Sequence, residues 1–118
     1  MKPLFLFLLF LLSISSGYAQ TISADSISKY EGKTVTVCEK VIGTYITSGD
    51  SKTIMLNFGH PYPAQTFTGV IFQSDRANFS YDPATYLKDK MVCVTGEVKM
   101  YKGRPEIIIK KPDQLTIK

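Results

Sequence analysis

The sequence predicts an all-β domain with short helices, its five strands closed into a Greek-key barrel. Three observations predict it. Val35 and Val37 in the segment 33–38, and Val92, Val94 and Val98 in 91–98, fall on alternate positions, the pattern of a strand with one buried face. Three further β-rich runs, at 53–58, 67–72 and 106–110, are bounded by Gly, Pro, Asn and Ser clusters. One helix signal falls between the third and fourth of these five runs, and a sheet this small loses its exposed edges by closing on itself.

The first segment stands outside this fold. Met1-Lys2-Pro3 is a positive start, Leu4 to Leu12 is an almost unbroken apolar run, and Ser13 to Ala19 is rich in small residues. That order is the order of a secretory signal peptide, with cleavage expected after Ala19 and Gln20 as the new first residue. A membrane anchor is the alternative, but the apolar run falls short of the roughly 20 residues that a bilayer requires. The expected organisation is therefore a leader over 1–19 and one domain over 20–118, placed in a periplasm or outside the cell.

Within the domain, Ser23 followed by Ala24 to Tyr30 reads as a capped short helix, with Asp25 in its first turn and Lys29 in its last. In the first strand Val35 and Val37 point inward, and Thr34, Thr36 and Cys38 outward. The run continues through Ile46, too far for one flat strand, so Gly43 is expected to mark a bulge or bend. Ser48-Gly49-Asp50-Ser51 is a turn, and Thr53 to Phe58 the second strand. Two prolines keep the stretch from Gly59 to Ala64 out of regular structure. Phe67 to Phe72 is the third strand. Asp82 as cap and Pro83 at the first helical position open a second short helix. Met91 to Val98 is the fourth strand, Lys102-Gly103-Arg104 a turn, and Glu106 to Lys110 the fifth strand. Gly32 to Val37 echoes Asp89 to Val94, each preceded by a helical turn, so the first and fourth strands are expected to fill comparable places.

Residue types exclude much chemistry. One histidine, His60, supports neither a His-rich metal site nor a Ser-His-Asp triad. The aspartates are scattered over turns and caps, and there are only two arginines, Arg76 and Arg104, so no nuclease-type constellation of acids and arginines is present. No catalytic residue, metal site or cofactor is expected. Without the leader the chain carries 13 Lys and Arg against 10 Asp and Glu, a net +3 that gathers from Lys99 onward. Such a patch attracts polyanions; a solvated strand edge that resists aggregation is the alternative, and charge alone favours it slightly. Cys38 and Cys93 form no CxxC motif; after export they are expected to pair, the alternative being two lone buried thiols.

Leu56-Asn57-Phe58-Gly59 with Pro61-Tyr62-Pro63 and Phe67-Thr68-Gly69-Val70-Ile71-Phe72 resembles the middle of small exported bacterial OB-fold domains. Gly32-Lys33-x-Val35-x-Val37 resembles their first strand, and Val94-Thr95-Gly96-x-Val98 with Gly103-x-Pro105-x-Ile107 their end. The likeness runs from Tyr30 to Leu115. That family is similar to the anticodon-binding barrels of some tRNA ligases, and the resemblance implies a nucleic-acid-binding module. It also makes the first and fourth strands antiparallel neighbours, so that Cys38 and Cys93 can bridge if their Cα atoms come within about 7 Å. A register offset of two residues would part them.

OB barrels bind across the face of strands two and three, flanked by the loops joining strands one to two and four to five. Here those loops are Thr47 to Lys52 and Tyr101 to Pro105. Tyr45, Tyr62 and Tyr101 are the expected stacking rings, and Lys52, Lys99, Lys102 and Arg104 the expected phosphate-holding cations. Phe58 and Phe72 are expected to fill the core instead. The partner is then a single-stranded nucleic acid or an anionic glycan; an envelope protein or an oligosaccharide is the alternative.

Overall fold

The computed structural model describes residues 19–118; the leader expected over 1–19 lies, Ala19 apart, outside the described residues. The two alternating segments form the two longest strands, and they lie side by side. In chain order the strands are β1 (Gln20–Ile22), β2 (Thr34–Ile46), β3 (Ile54–Phe58), β4 (Phe67–Ile71), β5 (Met91–Tyr101), β6 (Arg104–Ile108) and β7 (Leu115–Ile117). β2 pairs antiparallel with β3, β3 with β4, β5 with β6, and β2 with β5. A parallel pairing of β4 with β6 completes the ring β2-β3-β4-β6-β5. β2 bends where it passes from β5 to β3, and its register shifts between Val41 and Gly43, the bend expected at that glycine.

The inward phase is the expected one. Val35, Val37, Val92 and Val94 are buried, together with Leu56, Phe58, Phe67, Ile71, Val98 and Ile107. Phe58 and Phe67, cross-strand partners on β3 and β4, stack at 4.3 Å between ring centroids. Gly69 packs against Phe58 and Ile109: a Cβ there would lie 2.9 Å from Ile109 Cδ1 and 3.1 Å from Phe58 Cε2. Phe72 departs from expectation. β4 ends at Ile71, and Phe72 becomes the extended N-cap of a short helix, α1 (Gln73–Arg76), with 42% of its surface exposed. The segment Ala24–Tyr30 forms a 3₁₀ helix in which Ser23 makes no side-chain cap bond. The second helix, α2 (Pro83–Tyr86), forms as its cap signals predict, with Asp82 accepting from Ala84 N at 3.1 Å and from Thr85 Oγ1 at 3.1 Å.

The sequence echo has a structural basis. Gly32 and Asp89 are equivalent in it, and both have a positive φ, +84° and +70°. The residues that follow also match: Lys33 N donates to Tyr30 O, and Lys90 N to Leu87 O. Each is the last turn of a helix releasing its chain into a strand, and the two strands are β2 and β5. Their register sets Cys38 opposite Cys93, and the two form a disulfide. Beside it Thr36 Oγ1 and Thr95 Oγ1 share a 2.7 Å hydrogen bond.

β1 and β7 were not anticipated. β1 adds parallel to the flank of β2, and β7 antiparallel to β5. Three residues are too few for alternation to register, and both strands exist because the long β2–β5 pair offers free edges. Gln114 ties β7 in place: its amide oxygen accepts from Lys110 N, and its Nε2 donates to Thr95 O and Ile108 O.

Candidate functional groove

Alternation that sends Leu56, Phe58, Phe67 and Ile107 into the barrel sends their neighbours outward. Met55 and Asn57 on β3, Thr68 on β4 and Glu106 on β6 therefore share one outer face. Cross-strand register joins them, with Tyr45 opposite Met55, Gly43 opposite Asn57, Asn57 opposite Thr68, and Thr68 beside Glu106. They line a concavity of about 820 Å³ with Thr44, Thr47, Pro61, Tyr62, Gln65, Tyr101, Lys102 and Arg104. That volume falls within the roughly 300–1,000 Å³ of small-ligand sites.

The walls are aromatic and cationic. Tyr45, Tyr62 and Tyr101 keep 57%, 70% and 55% of their surfaces exposed, so their rings are free to be stacked upon. Two cations sit against these rings: Lys102 Nζ lies 5.3 Å from the Tyr101 centroid, and the Arg104 guanidinium 5.5 Å from that of Tyr62. Arg104 Nη1 also donates to Pro63 O at 2.9 Å. This clasp ties the irregular stretch Gly59 to Ala64 to the first residue of β6. Tyr101 and Arg104 are themselves strand residues, paired across the β5–β6 hairpin. Only Lys102 and Gly103 form its turn, both with positive φ (+52° and +79°), as a two-residue hairpin of the primed type requires. The expected loop is thus a stiff corner that holds its ring and cations in place.

The floor is polar and nearly covered. Asn57 and Thr68 are 7% and 4% exposed, and Gln65 Nε2 donates to Thr68 Oγ1 at 3.1 Å. Gln65 Oε1 is buried with no hydrogen-bond partner among the described residues. Partial burial raises the Glu106 carboxyl above its ordinary range.

Of the seven binding residues read from the sequence, five line this groove: Tyr45, Tyr62, Tyr101, Lys102 and Arg104. The structure does not bring Lys52 and Lys99 into its lining. Lys52 lies in the β2–β3 connection, its carbonyl bonded by Arg76 Nη1. Lys99 is opposite Glu106 in the register, but its Nζ turns to Glu97 at 3.9 Å. The basic surplus of the last twenty residues is divided in the same way: Lys110 Nζ lies 3.9 Å from Asp75, away from the groove. Sequence reasoning missed Asn57, Gln65, Thr68 and Glu106. Apart from Gln65, they were accessible by taking the strands that supplied the core and reading their opposite phase.

No protein-family model and no curated protein matches the sequence, whereas solved structures do. The structure of yeast Stn1 and Ten1 matches 99% of this chain and 72% of its own at a TM-score of 0.60 and 16% identity. An OBody bound to hen egg-white lysozyme matches 88% of this chain and 98% of its own, at 0.53 and 16%. The aspartyl-tRNA synthetase of Entamoeba histolytica matches 87% of this chain at 0.52 and 15%, and this chain spans 22% of that enzyme. The chain folds as an OB domain. In OB terms the groove occupies the usual ligand face: β3 and β4 are strands two and three, residues 47–53 the first flanking loop, and the Lys102–Gly103 turn the second. Among the described residues, no helix is long and apolar enough to cross a membrane.

Proposed function

We propose that this OB domain is an exported, non-catalytic module that binds single-stranded nucleic acid in the groove between Tyr45, Tyr62 and Tyr101. One observation carries the reading: three exposed tyrosines line one concavity on the OB ligand face, and Lys102 and Arg104 lie beside two of their rings. Bases stack on such rings while cations hold the phosphates, and neither contact requires a particular sequence. Export is supported by the tripartite character of residues 1–19 and by the Cys38–Cys93 bond, which persists in an oxidising compartment. The test is fluorescence anisotropy with a labelled all-thymine oligomer at low salt. Binding is expected, and Tyr45→Ala and Tyr101→Ala are each expected to weaken it by about 1–3 kcal/mol, the range for loss of one stacked base. Absence of binding at low salt refutes the proposal.

A second reading has one observation in its favour: an OBody of this fold is bound to lysozyme, so the same architecture can seat a protein. Under that reading the module docks an envelope protein or an oligosaccharide. Its partner remains bound after Arg104→Glu, which cancels the positive charge of the groove wall and weakens nucleic-acid binding.

A further inference from the structure

The charge in the floor of the groove is of the wrong sign for a site that only attracts polyanions. Glu106 projects into it, half-buried, and has no hydrogen-bond or ion-pair partner among the described residues; its cross-strand neighbour Lys99 turns to Glu97. The buried Gln65 Oε1, in the same lining, is a second acceptor without a donor. The Glu106 carboxylate therefore faces the groove without a donor of its own, and a ligand that suits it brings donors. A cationic ligand would bring donors but would meet Lys102 and Arg104 at the wall. A neutral base brings them without that penalty, its phosphate lying outward toward the two cations.

Among the common bases, guanine alone presents two adjacent donors on one edge, N1–H and N2–H, matching the two oxygens of a carboxylate. Cytosine and adenine each present one amino group beside a bare ring acceptor, and thymine one N–H between two carbonyls; an ionised carboxylate repels those acceptors. We propose that Glu106 makes the groove guanine-selective by accepting both donors of the guanine Watson–Crick edge, while a groove tyrosine stacks on the base. This deepens the nucleic-acid reading and rests on it.

The experiment compares three labelled oligomers on the intact domain: all thymine, thymine with one central guanine, and thymine with one central hypoxanthine, which keeps N1–H and lacks the amino group. The guanine oligomer is expected to bind at least about fivefold more tightly than all-thymine, the lower end for a bidentate base contact. The hypoxanthine oligomer is expected to fall between them. In Glu106→Gln the guanine advantage is expected to shrink below about twofold, because an amide offers one acceptor beside a donor that faces N–H. Equal affinity of the wild-type domain for guanine and thymine oligomers overturns the inference while leaving the nucleic-acid reading intact. So does a guanine advantage that hypoxanthine fully retains, or one that survives Glu106→Gln. Failure of all three oligomers to bind removes both.

Discussion

Neutralising Lys102 should halve the salt dependence of single-strand binding. The structure sets the magnitude. Two cations, Lys102 and Arg104, line the groove, and Lys52 and Lys99 do not. Each phosphate neutralised on a single strand contributes about −0.7 to the slope of log affinity against log salt, so two contribute about −1.4. A fourfold rise in salt should then weaken binding about sevenfold in the wild-type domain. Lys102→Asn removes one cation and preserves the hairpin turn, because asparagine tolerates the positive φ of +52° at that position. Its slope should be about −0.7 and its loss over the same range about 2.6-fold. Lys52→Asn is the matched control, also at positive φ and outside the groove lining, and should leave the slope at the wild-type value. Anisotropy titrations of a labelled oligomer at four or more salt concentrations read all three slopes. The reasoning fails if Lys102→Asn leaves the slope unchanged, or if Lys52→Asn reduces it as much; phosphates would then be held on another surface.

Three further outcomes follow from the fold. Reducing the Cys38–Cys93 bond opens a 55-residue separation, for which loop-closure entropy gives about 4 kcal/mol of lost stability; urea unfolding with and without reductant measures it, and a loss below about 1 kcal/mol contradicts the estimate. Gly69→Ala drives a methyl group into Ile109 and Phe58 and should destabilise the barrel by about 1–3 kcal/mol in the same assay, with wild-type stability as the refuting result. Glu106→Gln carries a sign. Desolvation raises this carboxyl in the native state, so the folded chain holds the proton more tightly than the unfolded chain. Wild-type stability therefore falls as pH rises from the unfolded carboxylate value through the raised native one. The glutamine variant should melt above wild type at neutral pH and lose that advantage below the carboxylate range. A variant less stable than wild type at neutral pH contradicts this.

The barrel was legible where alternation was long. Val35, Val37, Val92 and Val94 set the phase of β2 and β5, and the same phase put Cys38 and Cys93 on one outer face, where the register made them partners. Asp82-Pro83 marked its helix because both residues act locally, through a cap and a fixed φ. Local rules failed where pairing was long-range. β1 and β7 are three-residue strands recruited by free edges, and no window of sequence contains those edges. Phe72 was misplaced because its apolar character continued the strand by one residue past the point where the backbone turns into α1. The groove was half visible. Tyr101, Lys102 and Arg104 stood out as a cluster in sequence, whereas Asn57, Thr68 and Glu106 come from three strands and meet only through register. Lys52 and Lys99 sit near groove residues in the chain, yet the direction of each side chain depends on neighbours distant in sequence.

That the lateral groove is the ligand site is tested most directly by amide chemical shifts of the labelled domain during titration with a single-stranded oligomer at low salt. The expected perturbations cluster at Tyr45, Met55, Asn57, Tyr62, Tyr101 and Lys102, with Ile22 and Thr116, on the flanking strands, unmoved. Shifts centred on β1 and β7, or no shifts at any oligomer concentration, contradict it.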